Sequence, residues 1–163
     1  MILGMSLAAF TQFHVILSLV GIAAGLLVVV GMWKSERMPY TTALFLATTI
    51  LTSVTGFLFP FVKVGPPHVF GVISLVLLAF TLLALYRYRL AGRWRWIYIS
   101  TAIFALYLNC FVGVVQAFLK IASLHALAPQ GNEPPFAVAQ GMLLLLVVVA
   151  GVMAVRRFRP AAA

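Results

Sequence analysis

His14 and His68 are the side chains in this sequence best spaced to do chemistry together. Each opens a long apolar run, and each stands a similar distance ahead of basic residues: His14 is 20 residues before Lys34, and His68 is 19 before Arg87. A helix rises about 1.5 Å per residue, so two helices running the same way would carry both imidazoles at one depth. Two neutral imidazoles at equal depth on different helices are what axial ligation of a b-type haem requires, and Gly71, close to one turn from His68, would relieve crowding near a flat macrocycle. The sequence has no second histidine pair at the inner side, so such a haem would at most pass electrons between a quinone and an outer partner. By the same depth count Gln116 comes near this level and Gln140 lies a turn or so deeper, which places both as hydrogen bonders beside the histidines. A second coordination chemistry is a zinc or copper site from His14, His68 and His125, completed by Glu133, since imidazole suits both metals. The third reading is purely structural: these side chains join helices through interhelical hydrogen bonds, each worth about 0.6 to 2 kcal/mol.

Other chemistries lack their residues. There is no G-x-S-x-G elbow and no H-E-x-x-H pair, and Ser123 and His125 have no acid placed by motif to orient them. Ion-coupled carriers rely on buried carboxylates or broken helices at mid-membrane. The acids here are Glu36 and Glu133, both in gaps between apolar runs. The lone Cys110 excludes an internal disulfide and a multi-cysteine metal cage. A non-catalytic accessory or interaction subunit is therefore the expected function, with the haem carrier and the outer metal site as alternatives.

The elements that would position these residues are membrane spans. The chain has 163 residues, 64% of them hydrophobic and 8% charged, and its mean hydropathy is +1.16. An ordinary soluble domain carries about 25% charged residues. A net charge of +9 could suggest nucleic acid, but the basic residues sit only in the gaps between apolar runs rather than on a water-exposed face. Crossing about 30 Å of hydrocarbon takes roughly 20 apolar residues. Five stretches qualify, at about 12 to 33, 41 to 62, 68 to 86, 97 to 120 and 136 to 155, and they predict an all-α bundle forming a single integral membrane domain over 1–163. The second is rich in Thr and Ser, whose hydroxyls can bond back to the preceding turn and still cross lipid. The first lacks a charged n-region and is too long for a secretory signal, so it reads as retained. The segment from Ile121 to Pro135, with Pro129, Gly131, Pro134 and Pro135, is expected to be a loop.

Direction follows from charge. Lys34, Arg37, Arg87, Arg89, Arg93, Arg95, Arg156, Arg157 and Arg159 follow the first, third and fifth spans, whereas Lys63 and Lys120 lie at the opposite ends. Such asymmetry puts the N-terminus outside and the C-terminus in the cytoplasm, with Trp33, Tyr40, Tyr86, Trp94, Trp96 and Tyr98 as an inner aromatic belt. These cations would meet anionic lipid head groups, each contributing about 1 kcal/mol near the surface.

Small and polar residues share faces: His14, Ser18, Gly21 and Gly25 on the first span, Thr48, Thr52 and Gly56 on the second, Asn109, Gly113, Gln116 and Lys120 on the fourth. Gly21-x-x-x-Gly25 permits close helix approach. The first two spans also overlay the next two. His14-Val15 answers His68-Val69, Thr42-Ala43-Leu44-Phe45 answers Thr101-Ala102-Ile103-Phe104, and Gly56 with Phe61-Val62-Lys63 answers Gly113 with Phe118-Leu119-Lys120. A two-plus-two repeat with one added helix is the corresponding architecture.

The run from Thr42 to Thr49, then Thr52-Ser53-Val54-Thr55-Gly56-Phe57 and Phe59-Pro60, resembles a class of small multi-pass bacterial inner-membrane proteins with no assigned activity. Leu106-Tyr107-Leu108-Asn109, Leu127-Ala128-Pro129 and Glu133-Pro134-Pro135-Phe136 belong to the same resemblance, which covers the chain from His14 to Arg159. It implies residence in a bacterial inner membrane and carries no cofactor or catalytic residue with it.

Overall fold

The computed structural model describes residues 1–60 and 65–160. Among these the chain is helical, without a strand: α1 (Leu7–Lys34), α2 (Pro39–Gly56), α3 (Pro66–Leu82, prolonged by a π-helical turn at Leu83–Arg87), α4 (Arg93–Lys120), α5 (Ala122–Leu127) and α6 (Pro134–Arg157). The helix boundaries follow local chemistry. Ser6 caps α1 by accepting the Ala9 N–H at 3.2 Å, and prolines occupy the first turns of α2, α3 and α6, where a missing N–H costs nothing.

Four helical stretches are long and apolar enough to cross a membrane: Leu7–Lys34, Pro66–Arg87, Arg93–Lys120 and Pro134–Arg157. The expected second span does not reach this standard. Its helix ends at Gly56 after 18 residues, about 27 Å of rise, and it is diluted by six threonines and Ser53. Residues 61 and 62 of that span, and Lys63, lie outside the described residues. The segment after α4 also differs from expectation. Ile121 leaves helical geometry at φ −90°, ψ 114°, and the good helix formers that follow build the short helix α5 before Pro129.

The core sits where α1, α2 and α4 meet, around Ala24, Val28, Met32, Phe45, Leu46, Ile99, Ala102, Ala105 and Leu106. Gly21 and Gly25 make this approach possible. A Cβ on Gly25 would lie 2.7 Å from Leu106 Cδ1 and 2.9 Å from the Phe45 ring, and one on Gly21 3.2 Å from both Thr48 Oγ1 and Thr49 Oγ1. By contrast α6 is the least covered of the four long apolar helices, turning Leu144, Leu145, Leu146, Val148, Val149 and Val152 outward.

Polar bonds gather the ends of α1 and α6 and the start of α4. Trp33 Nε1–H donates to the Ala150 carbonyl at 3.1 Å, the Arg159 N–H donates to Ser35 Oγ at 2.8 Å, and Arg95 donates to the Val155 and Phe158 carbonyls. This end carries Lys34, Arg37, Arg93, Arg95, Arg156, Arg157 and Arg159. Arg87 and Arg89 join it through the turn that leads into α4, where Tyr88 stacks on Trp94 with centroids 3.7 Å apart.

Gly25→Ala is expected to lower the thermal unfolding temperature of the detergent-solubilised protein, because overpacking of a tight core costs about 1 to 3 kcal/mol. Gly113→Ala, whose new methyl would meet Ile22 at an ordinary 3.6 Å, should leave it nearly unchanged. Equal melting of the two variants would contradict the close approach at Gly25.

Candidate functional site

At the end away from the arginines, α1 to α4 line a half-open cavity of about 120 Å³. His14 and Ser18 face it from α1, Thr49, Thr52, Ser53 and Gly56 from α2, His68, Phe70, Gly71 and Ser74 from α3, and Leu108, Asn109 and Val112 from α4, with Phe57 and Pro67 at its rim. The two histidines therefore line one cavity. Among the described residues its lining holds no Asp, Glu, Lys or Arg.

Hydrogen bonds set the tautomer of each ring. His14 Nδ1 lies 2.8 Å from Thr55 Oγ1. The Thr55 hydroxyl is itself 2.7 Å from the Leu51 carbonyl and 3.2 Å from that of Thr52, so its proton goes to the backbone. Its oxygen then accepts, His14 carries the proton on Nδ1, and the neutral ring leaves Nε2 as an acceptor. The Phe59 ring meets His14 edge-on at 5.1 Å. His68 is the opposite case. It is the third residue of α3, and its Nδ1 accepts the Gly65 N–H at 3.2 Å, closing the first turn of the helix. The proton of the neutral ring is then on Nε2.

These assignments test the haem reading directly. Axial imidazoles bind iron through a bare nitrogen while the other N–H is anchored to an acceptor. His14 is arranged that way, but His68 has its bare nitrogen turned to the backbone of its own helix start. The cavity is also smaller than the roughly 150 Å³ that encloses a benzene. His14 and His68 do not fit a bis-histidine haem.

The metal set is likewise not assembled, since among the described residues no three His, Cys, Asp or Glu side chains stand close enough to hold an ion. His125 is exposed on α5. The Glu133 carboxylate is turned to its own loop, accepting the Gln130 N–H at 2.9 Å and the Asn132 N–H at 3.0 Å. The glutamines stand apart from the histidines as well. Gln116 is exposed on α4, and Gln140 donates from Nε2 to the Phe111 carbonyl at 3.2 Å while its buried Oε1 has no partner.

Asn109 and Ser18 do meet. Ser18 Oγ donates to Asn109 Oδ1 at 2.8 Å across α1 and α4, beside Gly21. The contributors that the sequence reading passed over are Thr49, Ser53, Thr55 and Ser74. Ser53 Oγ contacts the Thr49 carbonyl at 2.9 Å and Ser74 Oγ at 3.2 Å. The signal for the first two was present, because Thr49, Thr52, Ser53 and Gly56 recur at i, i+3, i+4 and i+7 and so line one helix face.

The chain matches no family model, no curated protein and no solved structure.

Two measurements check these bonds. Thr55→Val removes the acceptor of the His14 Nδ1–H and should cost about 1 to 3 kcal/mol of stability, as an unmet buried donor does. Thr55→Ser should restore most of it, and a Val variant as stable as the parent would refute the His14 tautomer. At the α6 start, the Gln130 N–H, helped by that of Asn132, holds the Glu133 carboxyl below the usual carboxylate range. A depressed folded pKa means the loop order is fully present above the unfolded value and is lost as pH falls through the folded one. Protection of the Gln130 and Asn132 amides, measured against the intrinsic exchange rate at each pH, should therefore fall on strong acidification, and be low already at neutral pH in Glu133→Gln.

Proposed function

We propose that this chain is a five-span protein of a bacterial inner membrane, N-terminus outside and C-terminus cytoplasmic, acting as a non-catalytic accessory subunit of a membrane complex. The observation that carries the accessory reading is how the polar side chains are used. His14 is bonded to Thr55, His68 to Gly65, Ser18 to Asn109 and Ser53 toward Ser74. His14, Ser18 and Ser53 thus bond across helix pairs and His68 closes the start of its own helix, while the long apolar face of α6 is uncovered.

Counting α2 as the fifth span is supported by the path of the chain. The helix starts just after Arg37, at the basic end, and finishes beside His14, which lies 20 residues up α1 from Lys34. That separation is about 30 Å, the hydrocarbon thickness. Its hydroxyls bond back to the turn before, Thr48 to the Leu44 carbonyl at 2.7 Å and Thr55 to that of Leu51 at 2.7 Å, which suits passage through lipid. The two-plus-two repeat is part of the same reading, since α1 packs chiefly with α2 and α3 with α4. The collected arginines face the cytoplasm and meet anionic lipid head groups there.

Reporter fusions test the topology. Alkaline phosphatase should be active when fused after residues 63 and 128 and inactive after 36, 90 and 160. Activity after 90 would reverse the orientation, and equal behaviour after 36 and 63 would remove α2 as a span. For the accessory role, extraction in mild detergent should yield a defined larger complex. Gly141→Leu, which adds bulk where nothing lies within 4 Å, should dissociate that complex without changing the protein's own melting. A chain that stays solitary at native expression would sink the accessory role.

A further inference from the structure

We infer that the α1–α4 cavity is a binding site for a small neutral guest that both donates and accepts hydrogen bonds. The inference goes beyond the accessory reading and does not depend on which way the helices cross.

Two hydroxyls carry it. Thr49 and Thr52 both line the cavity, and their Oγ1 atoms are buried with no hydrogen-bond partner among the described residues. Thr49 is only 1% exposed. Their neighbours on the same helix behave differently, because Thr48, Ser53 and Thr55 all return their hydroxyls to a carbonyl one turn back. Unmet hydroxyls in a dry interior are costly, and buried polar groups in folded proteins are almost always paired with protein or an ordered molecule. The unmet capacity here is two donors and their lone pairs, on residues that share the cavity with the His14 ring. A guest must therefore offer acceptors to the threonines and a donor in return.

Charge and size narrow the class. A cation or anion would enter a mostly apolar site whose lining, among the described residues, offers no Asp, Glu, Lys or Arg to balance it. A volume of about 120 Å³ has room for about four waters at about 30 Å³ each, or for one compact solute smaller than benzene. Water and a urea-like or short-amide solute share this chemistry, and the experiment separates them.

The full-length protein in lipid bilayers, labelled at threonine, is measured by water-edited solid-state NMR. Thr49 and Thr52 should receive magnetisation from water several-fold faster than Thr81, which is fully buried, bonded to Thr101 at 2.8 Å and remote from the cavity. Thr49→Val/Thr52→Val should abolish water transfer to the neighbouring Ser53 and Ser74 while the helical spectrum is kept, and the apolar cavity so made should now take xenon. Urea is then added, with guanidinium as its cationic counterpart of like shape. Saturable shifts at Thr49 and Thr52 with urea alone identify the solute as guest, and the absence of shifts with either probe leaves water as the guest. Thr49 and Thr52 as slow as Thr81 would mean a dry cavity and overturn the inference, and guanidinium shifting them as urea does would overturn the neutral class. None of these outcomes bears on complex formation, so the two readings fail separately.

Discussion

The constraint on which the rest of this structure depends is that a polar group inside hydrocarbon must find its hydrogen bond within the protein. It bears hardest on α2. A helix with six threonines and a serine is a poor lipid-facing span, and its backbone length falls slightly short of a bilayer. On the five-span reading it is tolerated because α1 and α3 flank it, α4 closes over part of it, and Thr48, Ser53 and Thr55 bond their hydroxyls to the preceding turn. Gly21 and Gly25 of α1 serve the same need. Without them α1 could not come close enough to shield Thr48 and Thr49, and Phe45 could not reach the core beside Leu106.

The histidines follow from that enclosure. Thr55 has spent its proton on its own helix, so it can serve only as an acceptor toward α1, and His14 meets it with an N–H. The start of α3 poses the reverse demand. A free backbone N–H at Gly65 needs an acceptor, and His68, three residues on, provides one. One imidazole is thus a donor at Nδ1 and the other an acceptor at the same atom, each dictated by local backbone rather than by a shared ligand. Residue counting put the two rings at similar distances from the basic residues, but such a count says nothing about which nitrogen is bare. That second property decides between ligation and structural bonding, and it emerges only once the partners are known.

The same division separates what could be read from the sequence from what could not. Apolar runs bounded by Lys and Arg locate α1, α3, α4 and α6 to within a few residues, because the signal extends over some 20 positions. The short helix α5 was hidden by the prolines and glycine around it, which mark a turn without marking where it starts. Gln116 was expected beside the histidines and is exposed on α4 instead, since the 100° step of a helix makes one residue of slip enough to turn a side chain outward. Ser18 and Asn109 were on faces that do meet. The role of Thr55 could not be foreseen, because it comes from the contact of two helices whose register no single-chain pattern encodes.

Helix α6 shows what holds a bundle when burial does not. Association in lipid gains no hydrophobic free energy, as the surrounding tails are as apolar as the side chains, so packing and polar contacts must suffice. This helix is only sparsely covered, yet it is tied at several points: to Trp33, to Arg95 and Ser35 at the basic end, and through Gln140 to the Phe111 carbonyl toward the other. Arg95 is the economical part, since one guanidinium closes carbonyls that the helix end leaves open and brings a cation to the negative end of its dipole. Such ties fix the rotation of α6 about its axis. The face of Leu144, Leu145, Val148 and Val152 is consequently held outward, facing lipid or a neighbouring protein, because turning it toward the core would break the bonds at both ends.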